Sequence, residues 1–457
     1  MNENNLFNDS QHGFRSGRSC LSQLLEHIDK IFDFLENGFN VDAVYLDFSK
    51  AFDKLDFNIV FKKLEEMGIS GKILGWIKSF LSNRVQQVVV NGVKSDPIPV
   101  ISGVPQGSVI GPLLFLVLIS DIDEDIVDAV VKSFADDTRA LRHILSTEDV
   151  TTLQNELQKL YKWSDVNNTL LNDGKFEAMR YGLNNDIKSS TCYKTPSGQT
   201  ITVKSTIKDL GVLLSDDCSF KDHINNITEK ARNMVAWILR TFNTRQPEHM
   251  LLLYKTLVRP ILEYCSVLWS PLDIGSIRTL EEIQRSFVRK IHYDVDSDYW
   301  KRLEDLKLYS LERRRERYQI IYVWKILEGL VPNVNSKIES VMHARLGRKC
   351  NVPILKQGRL QKFRAASLAV HGANLFNALP KSVRDITGTK VDAFKRSLDK
   401  YLKSLPDQPL LSGYTKYRRA SSNSIIHMSS QAKICSRFPS LSEASGNAGD
   451  DEPSDSR

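Results

Sequence analysis

The stretch VYLDFSKAFD, residues 44–53, brings an apolar run to its end at a carboxylate. A strand is predicted over residues 41–46, so that Asp47 follows it directly. The end of a strand holds a side chain firmly, and the backbone carbonyl of Phe48 is able to face the same site. The pattern is typical of a ligand-binding carboxylate, but an Asp that caps the following helix is the simpler interpretation of this segment alone.

A second acidic stretch, VVKSFADDT over residues 130–138, indicates a hairpin whose tip carries Asp136 and Asp137. The prediction is a strand, a tight turn and a second strand between residues 127 and 141. Apolar residues on both sides give this Asp pair the context that a carboxylate-bearing hairpin needs. An ordinary Asp-rich turn would have the same composition.

Asp47 and Asp136 would repel each other if the fold brought them together, by roughly 4 kcal/mol for charges about 4 Å apart at an effective dielectric constant of about 20. A divalent cation would offset that cost. An all-oxygen ligand set without a nearby His or Cys favours Mg²⁺, and a pair of such ions serves in-line phosphoryl transfer. The rival interpretation is that one carboxyl group stays protonated and acts as a general acid.

Two Gly-containing segments have compositions that suit a ligand-binding loop. SGVPQGS, residues 102–108, combines Gly and Pro in a rigid turn and offers Gln106 as both a donor and an acceptor. QHGFRSGRS, residues 11–19, sets Arg15 and Arg18 before a helix start, where they would hold a phosphate or a template backbone. Plain connecting loops also explain either segment when it is taken alone.

The remaining periodicity predicts an α+β fold followed by an all-helical region. Helices are expected over five segments of the first half, namely residues 19–36, 57–67, 73–81, 111–121 and 151–167. A hairpin is expected at Asn91-Gly92, because this dipeptide lies between apolar runs. Short strands are expected near residues 200–203 and 210–214, and helices dominate from about residue 220 to about residue 330.

The composition is ordinary for a folded soluble protein, with 41% hydrophobic and 26% charged residues among 457. The net charge of +7 is unevenly distributed, because residues 1–150 carry −8 and residues 221–365 carry +11. An acidic front and a basic rear suggest a cation-using site and a polyanion-binding surface. Solvated helix faces would produce the same asymmetry.

Several classes of protein are disfavoured by the sequence. There is no run of 18 apolar residues and no signal-peptide pattern, so we expect neither a membrane span nor secretion. The six cysteines are scattered without a C-x₂-C pair, which argues against a zinc site and against a disulfide framework. Residues 406–457 are polar and Ser-rich and are expected to be a disordered tail.

In combination, these motifs resemble the reverse transcriptases of non-LTR retrotransposons, in particular the jockey/CR1-like group. The resemblance covers roughly residues 10–330 and depends on six motifs in the family's order: QHGFRSGRS (11–19), YLDFSKAFD (45–53), SGVPQGSVIGPLLF (102–115), FADD (134–137), NDGK (172–175) and KDLGV (208–212). Two later segments resemble the thumb and post-thumb region of the same elements, LEYCSVLWSP (262–271) and LEEIQR (280–285). Each motif alone is weak, whereas six in the same order are specific.

The resemblance implies a right-hand polymerase fold in which an α+β palm with partial fingers precedes a helical thumb and post-thumb region. The expected divisions are residual fingers and a helix (1–40), the palm with motifs A to E (41–215), the thumb and post-thumb (216–330), a helical C-terminal region (331–405) and the tail (406–457). Only ten residues precede Gln11. We therefore expect the family's finger strands and its upstream endonuclease domain to be missing from this N-terminally truncated chain.

The resemblance also implies a metal site. Asp47 and Asp136 would bind two Mg²⁺ ions, which Mn²⁺ can replace. The carbonyl oxygen of Phe48 would assist, and Asp137 would lie beside them in a more peripheral position.

Further residues acquire roles from the same resemblance. Phe52 would be the aromatic side chain that excludes a ribose 2′-OH, and Gln106 and Gly107 would contact the incoming nucleotide. Lys175 would lie near the triphosphate and act as a general acid towards pyrophosphate. Contacts with template and primer would come from Arg15, Arg18 and Gly211.

The implied function is RNA-directed DNA polymerisation, that is, two-metal nucleotidyl transfer to a primer 3′-OH. The partners would be an RNA template, a DNA primer and dNTPs, with no membrane association. The alternative is a catalytically inactive remnant that keeps the fold and at most binds nucleic acid. An intracellular location, nuclear and/or cytoplasmic, is expected, and the one basic run that resembles an import signal is Arg313-Arg314-Arg315.

Overall fold

The computed structural model describes residues 7–182, 185–291, 297–333, 337–408 and 423–430. The chain divides into two compact units, Met1–Ser219 and Phe220–Arg457. The first unit contains a five-stranded sheet with helices, and the second unit is mostly helical. This arrangement confirms the predicted α+β class with a helical region after the sheet.

The elements of the first unit alternate between helices and short strands. Its helices are α1 (Cys20–Glu36), α2 (Phe57–Glu66), α3 (Gly71–Leu81), α4 (Gly111–Leu118), α5 (Thr147–Val166) and α6 (Asn185–Ser190). Its strands are β1 (Asn40–Leu46), β2 (Arg84–Gln86), β3 (Val89–Val90), β4 (Val93–Lys94), β5 (Ile98–Val100), β6 (Val130–Phe134), β7 (Asp137–Ile144), β8 (Glu177–Tyr181), β9 (Thr202–Val203), β10 (Thr206–Asp209) and β11 (Val212–Ser215).

The second unit adds one hairpin to a set of helices. Its strands are β12 (Ser340–His343) and β13 (Gly347–Cys350). Its helices are α7 (Lys221–Thr241), α8 (Pro247–Leu253), α9 (Arg259–Glu263), α10 (Ser266–Trp269), α11 (Ile274–Arg289), α12 (Tyr299–Asp305), α13 (Leu311–Leu327), α14 (Gln361–Ala366), α15 (Ala373–Ala378), α16 (Lys381–Arg384) and α17 (Val391–Lys403).

The main sheet has the strand order β6-β7-β1-β8-β9. Neighbouring strands are antiparallel except β8 and β9, which are parallel. Strand β1 is paired on both sides along most of its length, and it is buried almost throughout. Because a strand in this position has no solvated face, its sequence is nearly continuously apolar.

The two faces of the sheet are covered differently. Val44 and Leu46 of β1 belong to a core that also contains Leu64 of α2, Phe115 of α4 and Leu157 of α5. Burial of side chains of this size contributes about 1.5–3 kcal/mol each relative to exposure. These three helices therefore hold the sheet from the face opposite to Tyr45, since side chains alternate along a strand.

Helix α1 covers the other face. It begins after Ser19, whose hydroxyl accepts from the Ser22 amide while the Ser22 hydroxyl accepts from the Ser19 amide, so that the two residues cap the helix reciprocally. Buried His27 of α1 lies with Nε2 3.0 Å from the Tyr45 hydroxyl oxygen. Helix α1 therefore packs on the face of β1 that carries the Tyr45 side chain.

Local turn chemistry confirms one boundary and corrects another. Asn91 and Gly92 both have positive φ, 50° and 82°, and join β3 to β4 as the predicted hairpin. Helix α5 begins at Thr147, four residues before the predicted start. Ser146 and Asp149 form a capping box there, a signal that the periodicity of apolar residues alone does not include.

The second unit contains more than the helices predicted for it. The hairpin β12–β13 lies inside the segment 331–405 that was expected to be helical. The expectation of a disordered tail is wrong for residues 423–430, because a helical stretch over 425–430 is present and Asn423 and Ile425 are completely buried. Most of the remaining tail lies outside the described residues.

Part of the basic charge of residues 221–365 is internal. Five arginines of this segment are buried, namely Arg302, Arg313, Arg315, Arg348 and Arg364. Arg314 is largely covered as well and donates to both carboxylate oxygens of Glu263. The Arg313-Arg314-Arg315 run is therefore not an exposed import signal. Within the described ranges, no helix is both long enough and apolar enough to span a membrane.

Candidate active site

Asp47 lies where β1 ends, as predicted, and its backbone is tied to the loop that leads to Lys175. The Asp47 carbonyl accepts from the Asn172 amide at 2.8 Å, and the Ser49 amide donates to the Leu170 carbonyl at 2.6 Å. Phe48 lies opposite Leu171 between these two bonds. In such a pair the central residue's own carbonyl takes no part in the bonding, so the Phe48 carbonyl oxygen is left for another partner.

Asp136 and Asp137 lie at the tip of the β6–β7 hairpin. The turn consists of Ala135 and Asp136, because Phe134 already pairs with Asp137. Asp136 is half-buried, whereas Asp137 is exposed as a residue although neighbouring protein still desolvates its carboxyl group. Desolvation raises the pKa of the Asp136 carboxyl, and repulsion from Asp47 raises it further.

The three carboxylates repel one another because they share one end of the sheet. The pKa of Asp137 is raised by desolvation, then by the charge of Asp136, with a smaller contribution from Asp47. Lys175 counteracts both shifts, and its Nζ lies 3.1 Å from Asp47 Oδ2. That oxygen is buried but has no partner in hydrogen-bond geometry, so the ion pair leaves it unsaturated.

The donor set fits a divalent cation in chemistry, although its side chains are not yet converged. It consists of oxygens, which Mg²⁺ and Mn²⁺ prefer, and it contains the unsaturated buried oxygen of Asp47. Among the described residues, no three His, Cys, Asp or Glu side chains lie close enough together to hold a metal ion.

Phe52 is held between two other aromatic rings. It stacks on Phe115 of α4 with ring centroids 4.5 Å apart, and Phe14 meets it edge-on at 5.9 Å. Phe52 itself is half-buried, while 55% of Phe14 is exposed although its backbone adopts the left-handed region, with φ of 57°. A bulky exposed residue in that conformation is uncommon and is found mainly at functional sites.

The SGVPQGS loop is docked on the turn that follows Asp47. Gln106 is exposed, and its Nε2 donates to Asp53 Oδ1 at 2.9 Å. A Cβ on Gly103 would lie 2.4 Å from the Asp53 carbonyl oxygen, so only glycine allows this approach. Gly107 is exposed, has φ of 83° and has nothing near its Cβ position. The structure thus leaves Gln106 and Gly107 accessible beside the Phe52 segment.

Arg15 and Arg18 are engaged locally and are not free for a template. Both side chains are close to nine-tenths covered. Arg18 donates to the Asp9 carbonyl at 2.7 Å and pairs with its carboxylate. Arg15 donates to the backbone carbonyl of Asn8 and lies 3.6 Å from the same carboxylate. A contact of either guanidinium with nucleic acid would require the Asp9 pairing to be exchanged.

Gly211 lies in the hairpin that packs near the carboxylates. Leu210 and Gly211, with φ of 44° and 86°, form the two-residue turn between β10 and β11. The predicted strand over 210–214 is therefore a turn followed by β11. Asp209, at the end of β10, forms a buried ion pair with Arg139 of β7. Burial raises the pKa of the Asp209 carboxyl, and Arg139 opposes this shift.

A cavity of about 560 Å³ lies between this hairpin and the strand ends. Asp47 and Asp137 line it on the sheet side, together with Lys175. Lys204 and Lys208 line it on the hairpin side. Acidic and basic groups therefore face each other across a space that is large enough for a nucleotide-sized group.

Four residues of the site were missed by sequence reasoning. Arg139 and Asp209 are 70 positions apart, so neither has a local signal. Gln11 and Gly13 contact Ala135. The sequence of QHGFRSGRS predicted a role only for its arginines. The sequence contains no signal for the role of Gln11, because its burial is visible only in the structure.

Comparisons with known proteins agree with the resemblance. Residues 1–214 match the family model described as reverse transcriptase (RNA-dependent DNA polymerase). The RNA-directed DNA polymerase from mobile element jockey of Drosophila melanogaster is 27% identical over 295 residues, which are 62% of this chain and 31% of that protein. The probable polymerase from transposon BS of the same species is 27% identical over 340 residues, which are 70% of this chain and 37% of that protein.

These relatives are much longer than the chain, which spans about a third of their length. Among solved structures, apo telomerase from Candida tropicalis has 10% identity and a TM-score of 0.36, over 64% of this chain and 51% of that one. So remote a likeness supports no argument about this chain. The family match and the jockey-type relatives nevertheless agree with the motifs and their order. Residues 1–214 match the reverse transcriptase family, and the relatives to which the chain is similar are RNA-directed DNA polymerases of non-LTR retrotransposons.

Proposed function

We propose that this chain is an RNA-directed DNA polymerase that transfers nucleotides to a primer 3′-OH with the help of two Mg²⁺ ions. The observation that carries the proposal is that Asp47, whose buried Oδ2 has no hydrogen bond, and Asp136, whose carboxyl feels the Asp47 charge, lie at adjacent strand ends of a domain that matches the reverse transcriptase family. Burial raises the pKa of Asp136, and repulsion from Asp47 raises it further, so a bound cation would relieve this repulsion.

The proposed metal ligands are the carboxylates of Asp47 and Asp136 and the carbonyl oxygen of Phe48, with Asp137 at the periphery. When bound there, divalent ions lower the pKa of the primer hydroxyl and neutralise charge on the departing pyrophosphate. Before binding, Lys175 partly neutralises Asp47 from 3.1 Å. With Asp47 serving as a metal ligand, Lys175 would be available as the general acid that donates a proton to the departing pyrophosphate.

The residues that surround the carboxylates have the chemistry needed to select a nucleotide. Phe52 presents an aromatic ring that is fixed by Phe115 and Phe14, and we assign to it the exclusion of a ribose 2′-OH. Gln106 and Gly107 are exposed on the docked loop and would contact the incoming nucleotide. The fixed ring and the docked loop together would give the nucleotide site a rigid wall.

The nucleic acid itself would be bound more broadly. We assign the palm to residues 41–215 and the thumb and post-thumb to 216–330, with Gly211 at the primer and the basic segment 221–365 on the phosphate backbone. Such binding weakens as salt rises, because counterions compete for the phosphates. The relatives are retroelement polymerases, so we expect the protein to act inside the cell, in the nucleus and/or the cytoplasm.

The test is primer extension on poly(rA)/oligo(dT) with Mg²⁺, in which the wild type is compared with Asp136→Ala. We expect extension by the wild type and none by the variant, while RNA binding by the two proteins stays nearly equal. Asp128→Ala is the matched control, because it removes an acidic residue of the same unit that lies outside the site and pairs with Arg142. Equal loss of extension and RNA binding in Asp136→Ala would contradict the metal assignment.

The competing function is that of an inactive remnant that at most binds nucleic acid. Failure of a correctly folded wild type to extend any primer, with RNA binding retained, would support this alternative and reject the polymerase.

A further inference from the structure

The N-terminal segment Ser10–Gly13 pairs with β6, the strand that leads into the turn Ala135-Asp136, which we call the catalytic turn because of the role proposed for Asp136. The Ser133 amide of β6 donates to the Ser10 carbonyl at 3.0 Å, and the His12 amide donates to the Ser133 carbonyl at 2.9 Å. Gln11 is thereby placed parallel to Ser133 at the open edge of the sheet. The sheet thus gains one residue pair on the outer side of β6.

The Gln11 side chain continues from that pair into the turn itself. Its Oε1 accepts from the Ala135 amide at 2.9 Å and from the Gly13 amide at 2.7 Å. Its Nε2 donates to the Ala135 carbonyl at 3.2 Å. The residue is 5% exposed. A buried amide therefore binds both backbone groups of the residue that precedes Asp136.

The residue held in this way has a conformation that needs support. Ala135 lies in the left-handed region, with φ of 54°. A residue with a Cβ pays on the order of 1–3 kcal/mol for such a conformation, which persists only where the surroundings enforce it. Gly13 completes the support, because a Cβ there would lie 2.4 Å from the Ala135 nitrogen. Only glycine lets the segment approach the turn so closely.

We propose that Gln11 is a positioning residue for the catalytic carboxylates: it holds Ala135 in the conformation that directs Asp136 and Asp137 towards the metal site. Gln11 touches neither a substrate nor a carboxylate, and it acts through the backbone of the turn. The inference rests on the proposed function, because positioning has meaning only if these carboxylates bind cations.

The decisive variant is Gln11→Met, which keeps the side-chain volume and removes all three hydrogen bonds. The control is Gln23→Met. Gln23 is a completely buried glutamine of α1 whose amide lies 3.2–3.3 Å from the backbone of Ser133, away from the turn. Both variants lose a buried amide that contacts β6. A general loss of packing would therefore affect the two proteins alike.

Two measurements are made on each full-length protein. Mn²⁺ binding in the absence of nucleic acid is followed by electron paramagnetic resonance, and primer extension is followed as kcat and as KM for template–primer. For Gln11→Met we expect Mn²⁺ binding that is weaker by roughly 10–100-fold, as for other residues that support metal ligands indirectly. We also expect a lower kcat with little change in KM. Gln23→Met should bind Mn²⁺ like the wild type.

Gly13→Ala provides a second route to the same displacement if Gln11→Met does not fold. Its added Cβ pushes on the Ala135 nitrogen while the Gln11 side chain is kept, and it should weaken Mn²⁺ binding in the same direction. Wild-type affinity in both variants, or equal weakening in Gln23→Met, would overturn the role of Gln11 while the polymerase assignment stands. A wild type that neither binds Mn²⁺ nor extends a primer would overturn both.

Discussion

Buried charged groups differ in their hydrogen bonding between the catalytic turn of the first unit and the surroundings of helix α13 in the second. Near α13, Glu281 is 1% exposed and accepts from the Leu311 amide at 3.0 Å, from the Tyr299 hydroxyl and from Gln284. Beside the catalytic turn, Asp47 Oδ2 is buried without a hydrogen bond. Burial raises the pKa of both Glu281 and Asp136, but hydrogen bonds from Tyr299 and Leu311 oppose the rise at Glu281, whereas the charge of Asp47 adds to it at Asp136.

This difference distinguishes a buried charge that stabilises the fold from one that is available to a ligand. A buried charge that serves the fold has its hydrogen-bonding capacity filled by the protein, because an unfilled one costs several kcal/mol. The two terminal nitrogens of Arg313 follow this rule, since they donate to backbone carbonyls just after α17, including that of Leu405 at 2.7 Å, while its Nε lies 3.3 Å from Asp407 without a hydrogen bond. Asp47 Oδ2 does not follow it, because its only contact is the ion pair with Lys175, and an unfilled buried carboxylate beside other carboxylates is typical of a functional site.

The largest expected effect comes from Asp136→Asn, which removes one charge from the group of carboxylates formed by Asp47, Asp136 and Asp137. Polymerisation should fall by a factor on the order of 10³ or more, because cation stabilisation of the transition state is worth several kcal/mol. The free energy of unfolding at pH 7 without divalent ions should be unchanged or higher. The reason is that a carboxyl with a raised pKa loses folded-state stability as the pH rises through that pKa. Urea titration measures this, with Asp128→Asn as control, and a clear loss of stability would refute the distinction.

Glu281→Ala should have the reverse profile. Its removal leaves the buried Tyr299 hydroxyl and the Leu311 amide without their acceptor, so we expect unfolding to become easier by about 3–5 kcal/mol. Glu282→Ala is the matched control, because its side chain is mostly exposed and its change should stay within about 0.5 kcal/mol. Circular dichroism during urea titration measures both variants. Similar values for the two would show that the Glu281 network does not support the fold.

The same distinction explains which parts of the site were accessible from sequence. The strand that ends at Asp47 and the hairpin that carries Asp136 were predicted, because apolar runs and turn residues are local signals. The start of α5 was misplaced although its capping signal, Ser146 with Asp149, is also local. Asp47 and Asp136 could therefore be located from the sequence, because each lies in a segment with a recognisable local pattern.

The residues that hydrogen-bond or pair with other residues of the site could not be predicted in this way. Gln11 supports Ala135 from 124 positions away, and Arg139 meets Asp209 from 70 positions away. Such contacts depend on tertiary structure, and the partner residues have no shared local pattern. The buried Arg313-Arg314-Arg315 run shows the same limit, because its charge suggested an exposed signal whereas the fold pairs or buries it.

His223 of α7 in the second unit should give stability a dependence on pH that is opposite to the one expected from Asp136. Burial lowers the pKa of His223 to about 4, assisted by Lys230. Its stabilising contribution is complete above the unfolded value near 6.5 and is lost as the pH falls towards 4, by up to about 3 kcal/mol. His223→Gln should remove this dependence, and the exposed His249→Gln should leave it unchanged. An unaltered pH profile of unfolding in His223→Gln would exclude this residue as its source.

A smaller effect is expected from Phe52→Ala, which tests whether aromatic packing at the catalytic turn is functional rather than structural. Loss of the ring should raise ribonucleotide incorporation relative to deoxyribonucleotides by roughly 10–100-fold, in line with steric discrimination in other pockets. Phe14→Ala should move selectivity in the same direction by a smaller factor, because its ring meets Phe52 edge-on. Steady-state kcat/KM for dTTP and UTP measures this. Unchanged selectivity in Phe52→Ala would remove the proposed role of that residue.

Arg315 provides the most stringent test of whether the hydrogen bonds of a buried charge decide its contribution to stability. It lies on α13 and is 1% exposed, yet none of its three guanidinium nitrogens has a hydrogen-bond partner in the described part of the chain. It acts on Glu281 only through its charge. If saturation rather than burial makes a charge structural, Arg315→Met should cost less than about 1 kcal/mol, whereas Arg313→Met should cost about 3–5 kcal/mol. Urea titration of the two variants side by side decides the matter. Equal costs would mean that charge alone stabilises this helix, and that the unsaturated carboxylates of the first unit need a reason other than saturation to be singled out.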